Sequence, residues 1–395
     1  MRENANCNVV NEELHSEVAD DFSRDVWCLF GFPVDNFTLE SMCQVIERKI
    51  QANKKFVLST ININWLATSL FNYRFRATMI NSDINVIDGV PLLWLSRMLD
   101  LPIREVIPGS TLIQTIRNQV FGTKQATIFF FGGDEGTGLL ASRKLEKELK
   151  GLRPVGHLNP GYGSVNDFSK NDIISAINTQ SPDILLVALG ALKGQLWIEA
   201  NKDRLDARLI SHLGATINFL AGSLQRAPEW MQRHGIEWMW RIVKEPKLFM
   251  RYFSDGKAVM QTLLRNAINY ALWRHVSKAY KYFPSIGADS MEITENESSM
   301  TLTLRAVHCA VDSESARENL YLAAKKKKDL ILDFKKVVYL DNHFLALLLL
   351  LFKHQKRNQK SVKMVNVNKK TDRLLRLNMI DKSLHALELP LWGTI

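Results

Sequence analysis

The sequence has few cysteines and no long apolar run, and these two deficits exclude several classes of protein. Its four cysteines, Cys7, Cys28, Cys43 and Cys309, show no Cys-x-x-Cys spacing and lie too far apart for a zinc ribbon. We therefore expect no structural metal and no cofactor, and the absence of a disulfide pattern favours a reduced cytoplasmic setting. The longest apolar run, Phe344 to Phe352, is about half the roughly 20 residues that a membrane-spanning helix needs, so it predicts a buried helix or strand.

The amino-terminal residues lack a basic stretch followed by an apolar stretch, so they do not resemble a signal peptide. They carry several Asn, Glu and Asp residues, and we expect residues 1–24 to form a flexible tail. With 46% hydrophobic residues, 23% charged residues and a mean hydropathy of -0.11, the whole chain has the composition of a globular protein rather than an integral membrane protein.

Positive charge is in excess and is concentrated in one stretch. The net charge is +10, and residues 231–286 alone carry ten basic and three acidic side chains. This predicts an anionic partner. A pI near 9.3 and the run Lys325-Lys326-Lys327-Lys328 suggest nucleic acid as an alternative. A lysine run is usually a solvated face, so we expect no nucleic-acid partner.

Apolar segments of helical and strand type alternate from Val26 to about Asp203. Short apolar runs end in glycine or a polar turn, as at Ala126 to Phe131 and at Asp183 to Leu189. This order predicts an α/β fold with a doubly wound parallel sheet whose ligand crevice lies at the carboxyl ends of the strands. A chain of 395 residues exceeds the usual size of one core, so a second domain is expected.

The pattern changes after Pro284. The predicted domains are a first domain at 25–284 with a basic, membrane-facing end at about 230–284, a linker at 285–298, and a small α/β domain at 299–395. We expect the second domain to be separable, so that a chain ending near Ser285 folds by itself.

Asp88 follows the apolar run Asn85-Val86-Ile87 and precedes Gly89, which lets the backbone turn sharply. A carboxylate at a strand end can accept a proton from a ligand in the crevice. The alternative is an Asp-Gly turn that caps the next helix. From spacing alone the turn is the more frequent outcome.

Thr60 and Asn62 follow the strand Phe56 to Leu58, where a hydroxyl and an amide could bond a phosphate or sugar. The alternative is a helix N-cap, which both residue types favour. Gly132 and Gly133 could likewise let a nucleotide approach a helix amino terminus, although the segment matches neither a P-loop nor a dinucleotide fingerprint. Tyr162, between two glycines, could lie against a base or sugar ring, or simply belong to a turn.

Tryptophan and arginine alternate in the segment from Ala221 to Pro246. Indole and guanidinium groups together suit a bilayer interface with anionic headgroups. The alternative is an amphipathic helix packed on the sheet with its basic face solvated.

Taken in order, these elements resemble the WecG/TagA/CpsF glycosyltransferase family. The resemblance runs from about Val26 to Arg274, and its matching elements are Thr60-x-Asn62, Asp88-Gly89, Pro108-Gly109-Ser110, Phe131-Gly132-Gly133, Gly161-Tyr162-Gly163, Pro182-Asp183-Ile184-Leu185, Leu189-Gly190, Lys193, Ala221-Gly222, and Arg226-Ala227-Pro228-x-Trp230 through Glu245-Pro246.

The resemblance implies an inverting transfer from a UDP-sugar, of the N-acetylmannosamine type or a related hexose, to a polyprenyl-diphosphate-linked acceptor in bacterial surface polysaccharide synthesis. It implies no metal, and the sequence contains no Asp-x-Asp. Asp88 would be the catalytic base. Donor-binding residues would be Thr60, Asn62, Gly109, Ser110, Gly132, Gly133, Tyr162, Lys193, Gln195 and Asn218. Acceptor and membrane contacts would be Arg226, Trp238, Arg241, Lys247 and Arg251.

The sequence departs from the family pattern at five positions of the donor site. Gly194 and Gln195 stand where the family commonly has Gln and Glu. Val106 replaces an Arg, Thr111 an Asp and Asn218 an Asp. Arg104 and Gln195 are candidate substitutes. The alternative function is therefore a catalytically inactive protein that binds a sugar nucleotide or a partner. In either case we expect a cytoplasmic protein peripherally associated with the inner face of an anionic membrane.

Residues from about Met300 to Leu387 resemble a STAS domain, through Leu332-Asp333-Phe334 and Val337-x-x-Leu340-Asp341. Signalling members carry a phosphorylatable serine just after that aspartate, where this chain has Asn342-His343. The resemblance therefore implies docking of a protein partner or homo-oligomer formation, without a phosphoswitch.

Overall fold

A computed structural model of the chain describes residues 17–119, 124–148, 150–233, 236–280, 291–304, 307–308 and 313–393. The helices and strands of these residues are, in chain order, α1 Glu17–Phe22, β1 Val26–Leu29, β2 Phe32–Asp35, α2 Leu39–Gln51, β3 Phe56–Ile61, α3 Ile63–Phe71, α4 Tyr73–Ile80, β4 Ile84–Ile87, α5 Val90–Met98, α6 Gly109–Asn118, β5 Ala126–Gly132, α7 Thr137–Glu148, β6 Leu152–Leu158, α8 Asn171–Asn178, β7 Ile184–Ala188, α9 Ala191–Asn201, β8 Leu209–His212, α10 Thr216–Ala221, α11 Glu229–Arg233, α12 Glu237–Lys244, α13 Leu248–Tyr280, β9 Met291–Glu295, β10 Ser299–Leu304, β11 Val307–His308, α14 Ser313–Lys326, β12 Asp329–Asp333, β13 Tyr339–Leu340, α15 Asn342–Arg357, β14 Val362–Val365, α16 Lys369–Leu377 and α17 Ile380–Ala386.

These elements form two compact units. The central unit comprises Phe37–Arg97 and Pro102–Gln261. The terminal unit contains described residues from both ends of the chain, at 17–36 and 262–393, together with the short stretch Met98–Leu101. Among the described residues, no helix combines the length and the apolar character that crossing a membrane requires.

The central unit is built on a six-stranded sheet in the order β4-β3-β8-β7-β5-β6. Every pair of neighbouring strands is parallel. The carboxyl ends of all six strands therefore lie at one edge of the sheet, where the loops that carry polar residues gather. The predicted doubly wound parallel sheet is confirmed.

Apolar side chains cover both faces of this sheet. Leu58 and Phe130 belong to a buried cluster that includes residues of α2, α6 and α7. Their neighbours Val57 and Phe129 point the other way, into a cluster with residues of α8 and α9. Trp197 of α9 is fully buried there, and replacing such a side chain by alanine typically costs about 3–5 kcal/mol.

Local capping fixes where α2 begins. The Thr38 hydroxyl accepts a hydrogen bond of 3.2 Å from the Ser41 amide, and the Ser41 hydroxyl accepts one of 2.9 Å from the Thr38 amide. This reciprocal capping box satisfies amide groups that the first helical turn leaves without a partner.

The terminal unit contains a four-stranded sheet in the order β14-β12-β10-β9. Strand β9 is antiparallel to β10, and the other pairs are parallel. The apolar run predicted to be a buried helix or strand lies inside α15, which is buried from Asn342 to Gln355. The hairpin of β1 and β2 is antiparallel and belongs to the same unit.

The structure differs from the sequence-based domain boundaries at two places. The expected tail at 1–24 includes Glu17–Phe22, which forms helix α1 in the terminal unit, while residues 1–16 lie outside the described residues. The expected linker at 285–298 includes Met291–Glu295, which pairs with β10 as an edge strand, while residues 285–290 are outside the described range. The first difference arises from partners far away in the sequence, since Asp21 of α1 pairs with Lys353 and His354, whereas β9 pairs with the next strand along the chain.

Candidate active site at the carboxyl edge of the sheet

Asp88 lies immediately after β4, at the carboxyl edge of the sheet, and is partly buried. Its backbone amide donates a hydrogen bond of 2.7 Å to the Ile61 carbonyl at the end of the neighbouring strand β3. Gly89 follows with a φ of +115°, a conformation that strains any residue with a Cβ. The glycine therefore permits the sharp turn that holds the carboxylate at the strand end.

Asn62 is the helix N-cap that the sequence offered as an alternative to a phosphate or sugar contact, and it also bonds Asp88. Its side-chain oxygen accepts a hydrogen bond of 3.1 Å from the Trp65 amide, so it is the N-cap of α3. Its side chain also hydrogen-bonds the Asp88 carboxylate and lowers the pKa of that group. Since a carboxylate only accepts, the Asn62 amide nitrogen is the donor. The cap thus fixes the orientation of the amide that holds Asp88.

Charged side chains from the segment after Ala221 converge on Asp88. The pKa of Asp88 is raised to about 7, chiefly by burial and also by the negative charge of Glu237. Arg241, Arg226 and the bond from Asn62 act in the opposite direction. At neutral pH the carboxyl group is therefore close to half ionised, which is the condition that suits a general base.

Thr111 and Glu237 hold Arg226 in position. Its Nη2 donates a hydrogen bond of 2.9 Å to Thr111 Oγ1 at the start of α6. The same nitrogen lies 3.8 Å from Glu237 Oε2 on α12. Arg226 thereby links the first turn of α6 to the first turn of α12.

Three buried polar atoms in this region have no hydrogen-bond partner within the described structure. They are Nε of Arg226, Nε of Arg241 and Oδ1 of Asn218. A buried polar group without a partner costs about 1–3 kcal/mol. Two guanidinium donors without partners beside a carboxylate are suited to receive an anionic ligand such as a diphosphate.

A second group of polar residues holds the loop that carries Tyr162. Lys193 Nζ donates a hydrogen bond of 2.7 Å to the Gly163 carbonyl. Asn159 connects this loop to the residue that follows β5. Its Nδ2 donates a hydrogen bond of 3.2 Å to the Gly133 carbonyl, and its Oδ1 accepts one of 2.8 Å from the Gly161 amide. The Tyr162 side chain itself is fully exposed and packs against no neighbour in the described chain.

The glycine pair after β5 has a packing role. Gly132 has a φ of +93°, and a Cβ there would lie 2.6 Å from the Ala188 carbonyl oxygen. The Gly133 amide donates a hydrogen bond of 2.8 Å to that same oxygen. These glycines allow the ends of β5 and β7 to approach closely, which brings their two loops to one place.

Two family models match the chain. The model of the glycosyl transferase WecG/TagA/CpsF family matches residues 27–272, and the STAS domain model matches residues 290–391. The chain belongs to the WecG/TagA/CpsF family of glycosyltransferases. Its carboxyl-terminal part is a STAS domain.

Three relatives share one name, N-acetylglucosaminyldiphosphoundecaprenol N-acetyl-beta-D-mannosaminyltransferase. The protein from Bacillus spizizenii strain W23 is 23% identical over 214 residues, which are 54% of this chain and 81% of the relative. The protein from Bacillus subtilis strain 168 is 23% identical over 236 residues, 60% of this chain and 90% of the relative. The protein from Staphylococcus aureus strain MRSA252 is 22% identical over 228 residues, 57% of this chain and 87% of the relative.

The structure accounts for several departures from the WecG/TagA/CpsF pattern. Thr111 keeps a hydrogen bond to Arg226, as described above. Gln195 is buried, and its Nε2 donates a hydrogen bond of 3.1 Å to Ser59 Oγ in β3, beneath the strand edge. Val106 is partly buried and Arg104 is exposed. Asn218 lies in α10 with the unpartnered Oδ1 noted above.

The remaining donor-site candidates lie along the same edge. Thr60 is buried in β3, opposite Val86 of β4. Gly109 is the first residue of α6 and packs against Leu213, since a Cβ there would lie 2.6 Å from its Cδ2 atom. Ser110, next in the helix, is partly buried.

The acceptor and membrane candidates separate into two groups. Arg226 and Arg241 are partly buried and act on Asp88, whereas Trp238, Lys247 and Arg251 are exposed. Several large apolar side chains of the segment 230–260 are also exposed, among them Trp230, Trp238, Met239, Val243, Phe249, Met250, Phe253 and Met260. We call residues 230–260 the apolar-basic segment.

A cavity of about 350 Å³ lies at the opposite end of the sheet. Its lining includes Lys55 and Arg208, which precede β3 and β8, and Ser181, which precedes β7. Because these residues are at the amino ends of the strands, this cavity is separate from the candidate active site.

Glu237 acts on Asp88 in the structure but is not among the site residues expected from the sequence. The signal was present, since Glu237 and Arg241 are four residues apart in a helical segment of the family's most specific block. Nothing local in the sequence indicates, however, that both side chains act on Asp88.

Proposed function

We propose that this chain transfers a hexose, of the N-acetylmannosamine type, from a UDP-sugar to a sugar on polyprenyl diphosphate, with inversion at the anomeric carbon. The observation that carries the proposal is the group at the strand edge, in which a carboxyl of pKa about 7 lies among two arginines with unpartnered donors. The names of the relatives support the N-acetylmannosamine donor and the N-acetylglucosamine-bearing acceptor.

Asp88 is the general base of the proposed reaction. Its ionised carboxylate takes the proton of the acceptor hydroxyl while that oxygen attacks the anomeric carbon. The bond from that carbon to the donor phosphate breaks, and UDP leaves with the electron pair. The Asn62 amide keeps the carboxylate facing the crevice in its ionised form.

Arg226 and Arg241 stabilise the leaving diphosphate. Negative charge grows on that group as the glycosidic bond breaks, and guanidinium donors fixed beforehand are effective at this task. The two arginines fill the role that a divalent cation has in other glycosyltransferases, so the proposed reaction is metal-independent.

The apolar-basic segment brings the site to a lipid-linked acceptor. Its exposed apolar side chains can enter the headgroup region, while Lys247 and Arg251 face anionic lipid. A polyprenyl diphosphate keeps its chain in the bilayer, so the protein acts as a peripheral protein on the inner face of the cell membrane.

The second candidate is a protein that binds a sugar nucleotide without transfer. It is favoured by Asn218, whose unpartnered Oδ1 stands where the family commonly has a carboxylate. Against it, Thr111 and Gln195 each keep a hydrogen bond within the site.

One assay separates these functions. The full chain is incubated with UDP-N-acetylmannosamine and a short polyprenyl-diphosphate-N-acetylglucosamine analogue, and the product mass is measured with and without EDTA. A disaccharide product that EDTA does not suppress is expected. Saturable UDP binding with no product from any UDP-hexose would establish the second candidate instead.

A further inference from the structure

The first described residues of the chain pack against the STAS domain. Residues 17–36 cluster with 262–393 in the terminal unit, although the glycosyltransferase family model already begins at residue 27. Phe22, Val26, Cys28 and Val34 are almost completely buried. We call residues 17–36 the N-terminal segment.

Hydrogen bonds join this segment to the start of α15. His343 bonds the Val26 carbonyl through Nδ1 at 2.9 Å, and its ring lies 5.2 Å from that of Trp27. His343 Nε2 contacts Arg317 Nη2 at 3.1 Å. Because burial and Arg317 lower the pKa of His343, the ring is neutral, so Nδ1 donates to the carbonyl and Nε2 accepts from the guanidinium.

Arg317 of α14 extends the contact. Its Nη1 donates to the carbonyls of Phe22 and Arg24, the latter at 2.7 Å. On the other side of the hairpin, Ser383 Oγ donates to the Gly31 carbonyl at 2.8 Å. The STAS domain thus satisfies backbone groups at four points of the N-terminal segment.

A buried cluster of charges forms the centre of the interface. Asp21 lies 3.0 Å from Lys353 Nζ and 2.9 Å from His354 Nε2, both on α15. Arg24 pairs with Asp21 at 2.8 Å and with Asp35 at 2.7 Å. Although burial opposes ionisation, the neighbouring Lys353, His354 and Arg24 hold the pKa of Asp21 well below its usual range.

The N-terminal segment supplies a counter-charge to buried charged side chains on one face of α15. A helix on a sheet normally keeps a polar stripe in water. Lys353 and His354 are instead 3% and 2% exposed, and buried charges are tolerated only when paired. Without Asp21, the ammonium group of Lys353 would lose a counter-charge at 3.0 Å.

We propose that the STAS domain is a docking module whose ligand is the N-terminal segment of the same chain. The occupied surface includes the start of α15, where Asn342 and His343 replace the serine of signalling STAS domains. The contact does not depend on the covalent connection through 281–290. The STAS domain therefore stays bound to residues 17–36 when that connection is cut.

A full-length chain with a protease site inserted at 287 tests the proposal. After cleavage, we expect the two fragments to co-elute in size-exclusion chromatography with the mass of one chain. Amides of 26–35 should keep their protection from hydrogen exchange. Separation of the fragments would overturn the proposal, and so would a mass of two chains, which would mean that the segment docks on a second copy.

Arg317→Lys tests the same contact with a smaller change. Lysine keeps the positive charge but lacks the several planar N–H donors of the guanidinium group. The variant weakens the hydrogen bonds from Arg317 to the Phe22 and Arg24 carbonyls and to His343. Because hydrogen bonds from a charged group stabilise a contact more than neutral ones do, the protection of amides 26–35 from hydrogen exchange should fall about tenfold. Lys336→Ala is the matched control, because Lys336 is exposed and its described partner is Glu292 at 4.0 Å. Unchanged protection in Arg317→Lys would contradict the proposal. The readout is independent of transferase activity.

Discussion

Gly194 lies directly against the imidazole ring of His212. A Cβ on Gly194 would be 2.2 Å from His212 Cδ2, well inside van der Waals contact. His212 ends β8 and is buried, its Nε2 has no hydrogen-bond partner among the residues that the structure describes, and burial lowers its pKa to about 4. A neutral histidine therefore fills the space above the position where the family commonly has glutamine.

Gly194→Ala should destabilise the central unit. The added methyl group forces the ring or α9 to move, and overpacking of this kind typically costs about 1–3 kcal/mol. Chemical denaturation measured by tryptophan fluorescence would detect the loss. The double variant Gly194→Ala with His212→Ala should regain part of it, because the ring that causes the clash is gone.

Gly256→Ala is a matched control. Gly256 lies in α13 with open space around its Cα, so alanine should stabilise that helix by about 0.5–1 kcal/mol. Equal stability of wild type and Gly194→Ala would mean that the close contact with His212 relaxes without cost.

Asp88→Asn should reduce transfer about a hundredfold or more while leaving UDP affinity nearly unchanged. The amide keeps the shape of the side chain but cannot accept the proton from the acceptor hydroxyl. Initial rates and calorimetric titration with UDP separate the two effects. Asp172→Asn, at an exposed position of α8, should retain full activity. Near wild-type transfer by Asp88→Asn would remove this carboxylate from the mechanism.

The pH dependence of transfer should follow the pKa of Asp88. With a pKa of about 7, the base is half ionised near pH 7, so kcat/KM should rise with pH, reach half of its maximum near pH 7 and level off about one pH unit higher. Glu237→Gln removes a negative charge that raises this pKa, so the rising limb should move to lower pH.

Arg241→Gln should move the rising part of the kcat/KM profile to higher pH, because it removes a positive charge that lowers the pKa of Asp88. Rate profiles from pH 5 to 9 distinguish the two shifts. Glu199→Gln, whose described ion pair is with Lys202, should leave the limb in place. Shifts of the same sign in Glu237→Gln and Arg241→Gln would refute the electrostatic assignment.

Charge reversal at Lys247 and Arg251 should weaken binding to anionic vesicles. Each basic group near such a surface contributes roughly 1 kcal/mol, so the double reversal to Glu should lower the partition coefficient at least tenfold. Transfer to a long-chain acceptor should fall more than transfer to a short soluble analogue.

Arg143→Glu with Lys147→Glu makes the same change in net charge on α7, where both side chains are exposed. This control should bind vesicles nearly as wild type does. Similar losses in both double variants would indicate a general effect of net charge, and equal losses on both acceptors would place Lys247 and Arg251 inside the active site.

The sequence by itself determined the fold class, the turn at Asp88 and the two families, because each is encoded by a local pattern of residues. Alternating apolar segments fixed the α/β class, and glycine after the strand placed Asp88 at a turn. The ordered motifs identified the family, and Leu332-Asp333-Phe334 identified the STAS domain. Each of these signals is carried by residues close together in the chain, so periodicity and spacing suffice to detect it.

Only the tertiary structure decided which distant side chains meet. His343 and Val26 are 317 residues apart, and neither the histidine nor the valine carries a local sign of the other. The same holds for Glu237 with Asp88 and for His212 with Gly194. Such pairs depend on how whole helices and strands pack against each other. A buried charge is paired, and the space beside a glycine is filled, only when the chain has folded.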